Sequence, residues 1–466
     1  MMVETRLEPG SFRDRHGRVF YVGEDVFRGL SAKALADWEL LSNTRFFGKL
    51  TDEGSIVGSR LVDSHPSTPP ASDWAAVLQH DRIPFVSYPY EWAFSMLKDA
   101  AELQLRLLQE ALAEDLILKD ATSYNVQWRG SQPVFIDVAS FEPYRQGEPW
   151  SGYRQFCQLF LYPLQLQAHK NLSFHGWLRG SLEGIDSEDL AAVMSWRDRL
   201  RSGIFLHVYM QAKMQQRYRQ RDQDARRQIR KAGFNRDLIV ANIRGLQKLV
   251  KSLHWGQSDS TWSDYAGDNS YTQDDHLSKL DFVDQAAAAV APALVWDLGA
   301  NTGVFSRVAA EHARYVVAMD ADHLAVERHY AALKKEGNRK ILPLVNNLAD
   351  PSPPLGWNGC ERKSLPERGK PDLILALALI HHVVISANIP LQDFVSWLAE
   401  QSKAVVIEFV TKADPMVKTL LRNKDDQYED YEQSFFETQV EQHFEIVRRL
   451  DLGSDTRTLY FLRQRR

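Results

Sequence analysis

The stretch Asp297-Leu298-Gly299-Ala300-Asn301-Thr302-Gly303 combines a carboxylate with closely spaced glycines. Glycine has no Cβ, so a loop built on it turns tightly and lets its backbone approach a ligand. A dinucleotide loop would read G-x-G-x-x-G, but counting from Gly299 the next two glycine positions hold Asn301 and Val304. The nicotinamide-dinucleotide fingerprint is absent. Two imidazoles, His381 and His382, close the apolar run that starts at Leu373. Imidazole titrates near neutral pH and suits proton transfer. A second set of polar groups, Asp120, Asn125 and Asp137, lies in the N-terminal half.

These groups need elements to hold them. Residues 293–296 read as a strand leading into the glycine turn and then a helix over 304–311. Further strands are expected at 315–319, 341–345, 373–379 and 404–407, with a helix over 323–335. Apolar strands alternating with helices imply a parallel sheet covered on both faces. The last two strands, 444–450 and 458–462, are joined only by a short turn containing Gly453-Ser454-Asp455. Strands so closely connected pair antiparallel.

Asp-x-Gly-x-Asn-x-Gly resembles motif I of class I S-adenosylmethionine-dependent methyltransferases. Other residues match that family in order. Asp320 ends the second strand seventeen residues after Gly303, where the family places an acid on the ribose hydroxyls. A carboxylate can accept both hydrogen bonds of a diol. The resemblance also implies Asn347-Leu348, with Asp350 nearby, at adenine. Residues 371–382 resemble motif IV, and Glu408-Phe409 follows the fifth strand. It implies S-adenosylmethionine as cofactor, bound through Asp297, Gly299, Asn301, Gly303 and Asp320, with His381 and His382 as candidate bases. Trp262, Tyr265 and Tyr271 are candidate lid aromatics for the cationic sulfonium, Tyr271 being placed among the cofactor-binding residues.

In the N-terminal half, an amphipathic helix over 94–116 precedes Asp120-x4-Asn125, and an apolar strand ends in Asp137 twelve residues later. This order resembles the catalytic and metal loops of kinase-like phosphotransferases, which implies Asp120 orienting a hydroxyl and Asn125 and Asp137 holding Mg²⁺ on ATP. Residues 83–88 are the candidate hinge strand. The pattern departs from that family: Leu118-Lys119 stands before the Asp, no glycine-rich motif precedes it, and no strand lysine is evident. Nine aromatics between Phe141 and Trp177 read as the core of a helical lobe rather than a stacking platform.

The expected architecture is therefore α/β. A Rossmann-like seven-stranded methyltransferase sheet occupies 256–466, an α+β kinase-like or helical substrate-recognition domain 1–210, and a basic helical connector 211–255. Twelve Lys/Arg against three Asp make residues 211–251 +9, so the remainder of this −5 chain of 466 residues is −14. Such a run attracts phosphates or forms a solvated helical face, and the second is the plainer reading. Two cysteines exclude a disulfide framework, and no apolar stretch is long enough to span a bilayer. With no apolar leader, the expected compartment is cytoplasmic. The expected reaction is methyl transfer to a small molecule or glycan. Alternatives are a bifunctional kinase–methyltransferase acting on a surface saccharide, similar to enzymes that cap bacterial polysaccharides, and an RNA-binding methyltransferase. The segments Ser-Tyr-Pro-Tyr-Glu-Trp and Tyr-Arg-Gln-Phe-Cys-Gln resemble nodulation-associated methyltransferases of rhizobia.

Overall fold

The computed structural model describes residues 5–62, 74–213, 235–257, 273–422, 424 and 427–465. The chain divides into two compact units, 1–128 with 132–257 and 355–362, and 129–131 with 258–354 and 363–466.

The first unit opens with strands β1 (Thr5–Leu7), β2 (Gly17–Val22), β3 (Asp25–Leu30), β4 (Ser59–Val62) and β5 (Ala76–His80), forming one sheet in the order β1-β2-β3-β5-β4. All of its neighbours are antiparallel. One face carries Phe20, Val22, Phe27 and Val77 as a small apolar cluster. Between β3 and β4 lie two helices, Ala32–Ser42 and Arg45–Asp52, whose N-caps Ser31 and Thr44 accept backbone N–H bonds. The helix Phe94–Ala113 then leads to two ribbons. One pairs β6 (Leu116–Leu118) with β9 (Phe141–Pro143), the other β7 (Val126–Arg129) with β8 (Gln132–Phe135). This is an α+β unit, an antiparallel sheet followed by a long helix and two short ribbons.

Residues 83–88 form no strand, contrary to the hinge expectation. Pro84 has no N–H to donate. The Ser87 N–H goes instead to Gln127 Oε1 at 2.9 Å and the Tyr88 N–H to Glu91 Oε2 at 3.0 Å. Most of the aromatic cluster is core: Phe141, Trp150, Phe156, Phe160, Tyr162 and Phe174 are buried. In the basic segment, the helix Arg236–Ser252 buries Ile239, Ile243, Leu246 and Val250 at helical spacing and packs on Phe94–Ala113. Its Arg244, Lys248 and Lys251 face solvent, which fits the plainer reading of the charge. The cations from Arg217 to Lys231 lie outside the described residues.

The second unit contains β10 (Leu294–Leu298), β11 (Tyr315–Asp320), β12 (Ile341–Val345), β13 (Leu373–Ala376), β14 (Ala404–Val410), β15 (Phe444–Asp451) and β16 (Arg457–Gln464). They form one sheet in the order β12-β11-β10-β13-β14-β16-β15. The first five are parallel, and β16 pairs antiparallel with both β14 and β15. The parallel sheet with a closing antiparallel hairpin is the architecture expected from sequence. Every residue of β12, β13 and β14 is buried, as strands covered on both faces require. Each large aliphatic side chain so buried contributes roughly 1.5–3 kcal/mol. The helices Gln273–Val290, Val304–His312 and His323–Glu336 flank this sheet.

Two boundaries are corrected. The fifth strand, expected over 404–407, runs to Val410, so Glu408 and Phe409 lie within it and not after it. The strand expected over 373–379 ends at Ala376, because Ala378 has a left-handed backbone (φ +49°) that no strand accommodates. The chain then bends into a π-helical turn, His382–Ser386, a feature frequent at functional sites. Among the described residues no helix is long and apolar enough to cross a membrane.

Candidate active site

In an open α/β sheet, ligands bind beyond the carboxyl ends of the strands, at the point where strand order reverses. Here β10 is that point: the chain proceeds from β10 through β11 to β12 on one side, and from β13 to β14 on the other. The glycine loop leaves β10, Asp320 ends β11, Asn346 and Asn347 follow β12, and His381 and His382 follow β13. The topology brings the motif residues to one edge.

The glycine loop is held by its own hydrogen bonds. Gly299 and Ala300 donate to the Met319 carbonyl at 2.8 and 2.9 Å. The Ser306 hydroxyl donates to Asp297 Oδ2 at 2.5 Å, tying the strand end to the following helix. Burial pushes the Asp297 carboxyl up to about 7, against the downward pull of that hydroxyl. Asn301 has φ +50° and Gly303 φ +80°, which explains an Asn and a Gly at these positions. Gly303 is also sterically required, since a Cβ there would lie 2.0 Å from the buried His329 ring.

Asp320 is the brace of the loop. Its Oδ2 accepts the Asn301 N–H at 2.8 Å and its Oδ1 the Asp322 N–H at 2.8 Å. Each carboxylate oxygen has two lone-pair sites, so further donors such as a diol can be accommodated. Burial raises its pKa, while the two backbone donors oppose the rise.

Asn347 and Asp350 are exposed and Leu348 is half-buried; Asn347 Oδ1 accepts the Ala349 N–H at 3.1 Å. Sequence reasoning passed over the residue before them. Asn346 is buried, its N–H donates to the Asp320 carbonyl at 2.8 Å, and its side-chain oxygen has no partner among the described residues. A buried amide oxygen without a donor calls for one, and an adenine amine has the right chemistry. Its only signal in the sequence was the doubled Asn at the strand end. Tyr271, with Trp262 and Tyr265, lies outside the described residues.

His381 is fully buried, and among the described residues neither of its ring nitrogens has a hydrogen-bond partner. Its ring lies 4.2 Å from that of His382. Burial, then the neighbouring His382, Arg457 and Lys279, hold His381 well below the ordinary imidazole range. Burial and Arg457 bring His382 down to about 4. Both rings are neutral at pH 7, which suits accepting a hydrogen bond but makes them weak bases.

In the first unit, Asp120, Asn125 and Asp137 also come together. Asn125 Nδ2 donates to Asp137 Oδ2 at 3.2 Å, and burial followed by the Asp137 charge raises the Asp120 pKa. Sequence reasoning found no strand lysine, but β3 supplies Arg28, whose Nη1 lies 2.8 Å from Asp137 Oδ1. A single cation inside a six-residue strand offered little signal.

The second unit has the sheet order and the loop residues that the resemblance to class I S-adenosylmethionine-dependent methyltransferases leads one to expect. The particular family is set by sequence: the chain is 34% identical to nodulation protein NoeA of Rhizobium meliloti over 455 residues, 97% of this chain and 94% of the relative, and it belongs to that family. No protein-family model matches. Among solved structures, it is similar to the N-methyltransferase NodS from Bradyrhizobium japonicum WM9 (10% identity, 42% of this chain and 98% of that one, TM-score 0.31). It is also similar to WbdD, a bifunctional kinase-methyltransferase (20%, 47% and 46%, TM-score 0.30). A third is magnesium protoporphyrin IX methyltransferase from Synechocystis PCC 6803 (15%, 45% and 88%, TM-score 0.30). Likenesses this distant assign no residue a role, and the chemistry of the site rests on this chain's own side chains.

The loop and the two imidazoles each have a measurable consequence. Gly303→Ala abolishes cofactor binding measured by calorimetry, and adding His329→Ala, which removes the obstructing ring, restores part of it; full binding by the single variant contradicts the steric account. In a histidine NMR titration, His381 and His382 retain neutral-ring shifts from pH 8 down to about pH 5. A midpoint near 6.5 for either ring contradicts the burial argument.

Proposed function

We propose that this protein transfers the methyl group of S-adenosylmethionine to a small-molecule or glycan acceptor. The observation that carries the cofactor assignment is the Asp320 carboxylate, which braces the glycine loop and keeps acceptor capacity for a diol. Asn346, with its unpartnered buried oxygen, would take the adenine amine, and the loop around Gly299 and Gly303 would admit the chain of the cofactor. The bound cofactor supplies an electrophilic methyl on sulfur, open to in-line attack. The protein's part is to align the acceptor and exclude water. His382, the partly exposed member of the pair, would act as a hydrogen-bond acceptor for the attacking hydroxyl or amine, with the buried His381 ring packed against it. Its depressed basicity suits an acceptor that loses its proton after attack.

A saccharide or small-molecule acceptor is favoured over nucleic acid. The described part of the basic segment is a packed helix with a solvated charged face, and the relative from Rhizobium meliloti is a nodulation protein. One observation favours a second activity: Asp120, Asn125, Asp137 and Arg28 converge in the first unit, and hard oxygen donors suit Mg²⁺. Asn125 and Asp137 would hold the metal and Arg28 a phosphate of ATP. The chain would then phosphorylate and methylate the same saccharide.

Calorimetry tests the cofactor: the unaltered chain binds S-adenosylmethionine and Asp320→Ala does not, whereas no binding by the unaltered chain at millimolar ligand sinks the proposal. With methyl-labelled cofactor and a cell extract, label enters the saccharide or small-molecule fraction; label confined to nuclease-sensitive material refutes that acceptor class. For the second activity, Mg-ATP raises the melting temperature and Asp137→Ala removes the shift. The absence of any shift at millimolar nucleotide rules it out.

A further inference from the structure

Beneath the β13 loop lies a group of charged side chains to which methyl transfer gives no role. Glu408, in β14, is fully buried, and an ionised carboxylate there is costly unless it is paired. Lys279 Nζ, from the helix Gln273–Val290, lies 2.7 Å from Glu408 Oε1 and 2.9 Å from Oε2. Arg457, on β16, places Nη1 3.3 Å from Glu408 Oε1 and Nε 2.8 Å from Asp414 Oδ2. The four side chains are buried almost completely, and two cations balance two carboxylates.

Buried ion clusters are poor sources of stability, because desolvation offsets most of the attraction. This one, however, makes a contact outside itself. Glu408 Oε2 accepts the backbone N–H of Ala378 at 2.9 Å. Ala378 has φ +49°, a conformation that is strained for a residue with a Cβ and needs its surroundings to hold it. The next residue lies against the cofactor loop: a Cβ built on Gly299 would be 3.2 Å from Leu379 Cδ1. His381 and His382 follow within the same bend.

We propose that Glu408 is a positioning residue for cofactor binding. Fixed by Lys279 and Arg457, it holds Ala378 in the left-handed conformation and so sets Leu379 against the glycine loop. This rests on the reading that the second unit binds S-adenosylmethionine. Glu408 touches neither cofactor nor acceptor and acts through the backbone.

Glu408→Gln keeps the shape and removes the charge that the two cations lock. Calorimetric affinity for S-adenosylmethionine falls roughly tenfold, the scale of a released left-handed residue. Adding Ala378→Gly restores most of that affinity, because glycine takes the conformation unaided. A role in stability alone would lower the melting temperature without an affinity loss that Ala378→Gly repairs. Binding by Glu408→Gln within twofold of the unaltered chain overturns the proposal, as does failure of the glycine to restore it. Should Glu408→Gln not fold, Lys279→Met combined with Glu408→Gln removes one charge of each sign, and the same rescue is read in that background. No binding by the unaltered chain overturns the cofactor reading itself and this inference with it; equal binding by both proteins overturns only this inference.

Discussion

The second unit depends on one constraint: a left-handed, glycine-bearing loop must be held rigid at the edge of a parallel sheet. Asp320 supplies it. One carboxylate at the end of β11 takes a backbone N–H from the loop after β10 and another from the turn that starts the next helix. Without that brace, Asn301 and its flanking glycines would sample many backbone states, and ordering them would be charged against ligand binding. The brace is effective because β10 and β11 are parallel neighbours, with Leu298 opposite Met319. Register places the acid beside the loop it holds.

The surroundings of the loop follow from the same demand. His329 fills the space beneath Gly303, leaving no room for a side chain there. Ser306 anchors Asp297 from the first turn of the next helix. On the other side of the reversal point, the chain turns sharply after β13, which places the two imidazoles beyond the strand end in a region of low dielectric and positive field. Neutral rings follow from that placement.

Much of this was legible in the sequence, for a physical reason. Parallel strands buried on both faces must be apolar throughout, so β10 to β14 appear as short hydrophobic runs, and a glycine loop between one of them and a helix marks the ligand edge. Asp320 stood out through the resemblance, because it ends an apolar strand at the place where that family has an acid. Other features were hidden by long-range partners. The helix Gln273–Val290 was not anticipated, since its inward face includes Asp275 and Lys279, which look solvent-facing until Glu408 is brought beside the lysine. The early end of β13 depended on a backbone angle at an ordinary alanine. Arg28 became meaningful only when Asp137, 109 residues away in sequence, was folded against it. Short amphipathic strands such as β1 and β4 leave a weak pattern, so the sheet of the first unit was inferred from motif order rather than read from periodicity.

The central claim is that the edge formed by the loops after β10, β11 and β12 is the cofactor site. The most direct measurement is an experimental structure of the protein with S-adenosylhomocysteine. The account predicts both ribose hydroxyls within hydrogen-bond distance of the Asp320 carboxylate and the adenine amine on the Asn346 side-chain oxygen. A ligand bound elsewhere, or a ribose that makes no contact with Asp320, would contradict it.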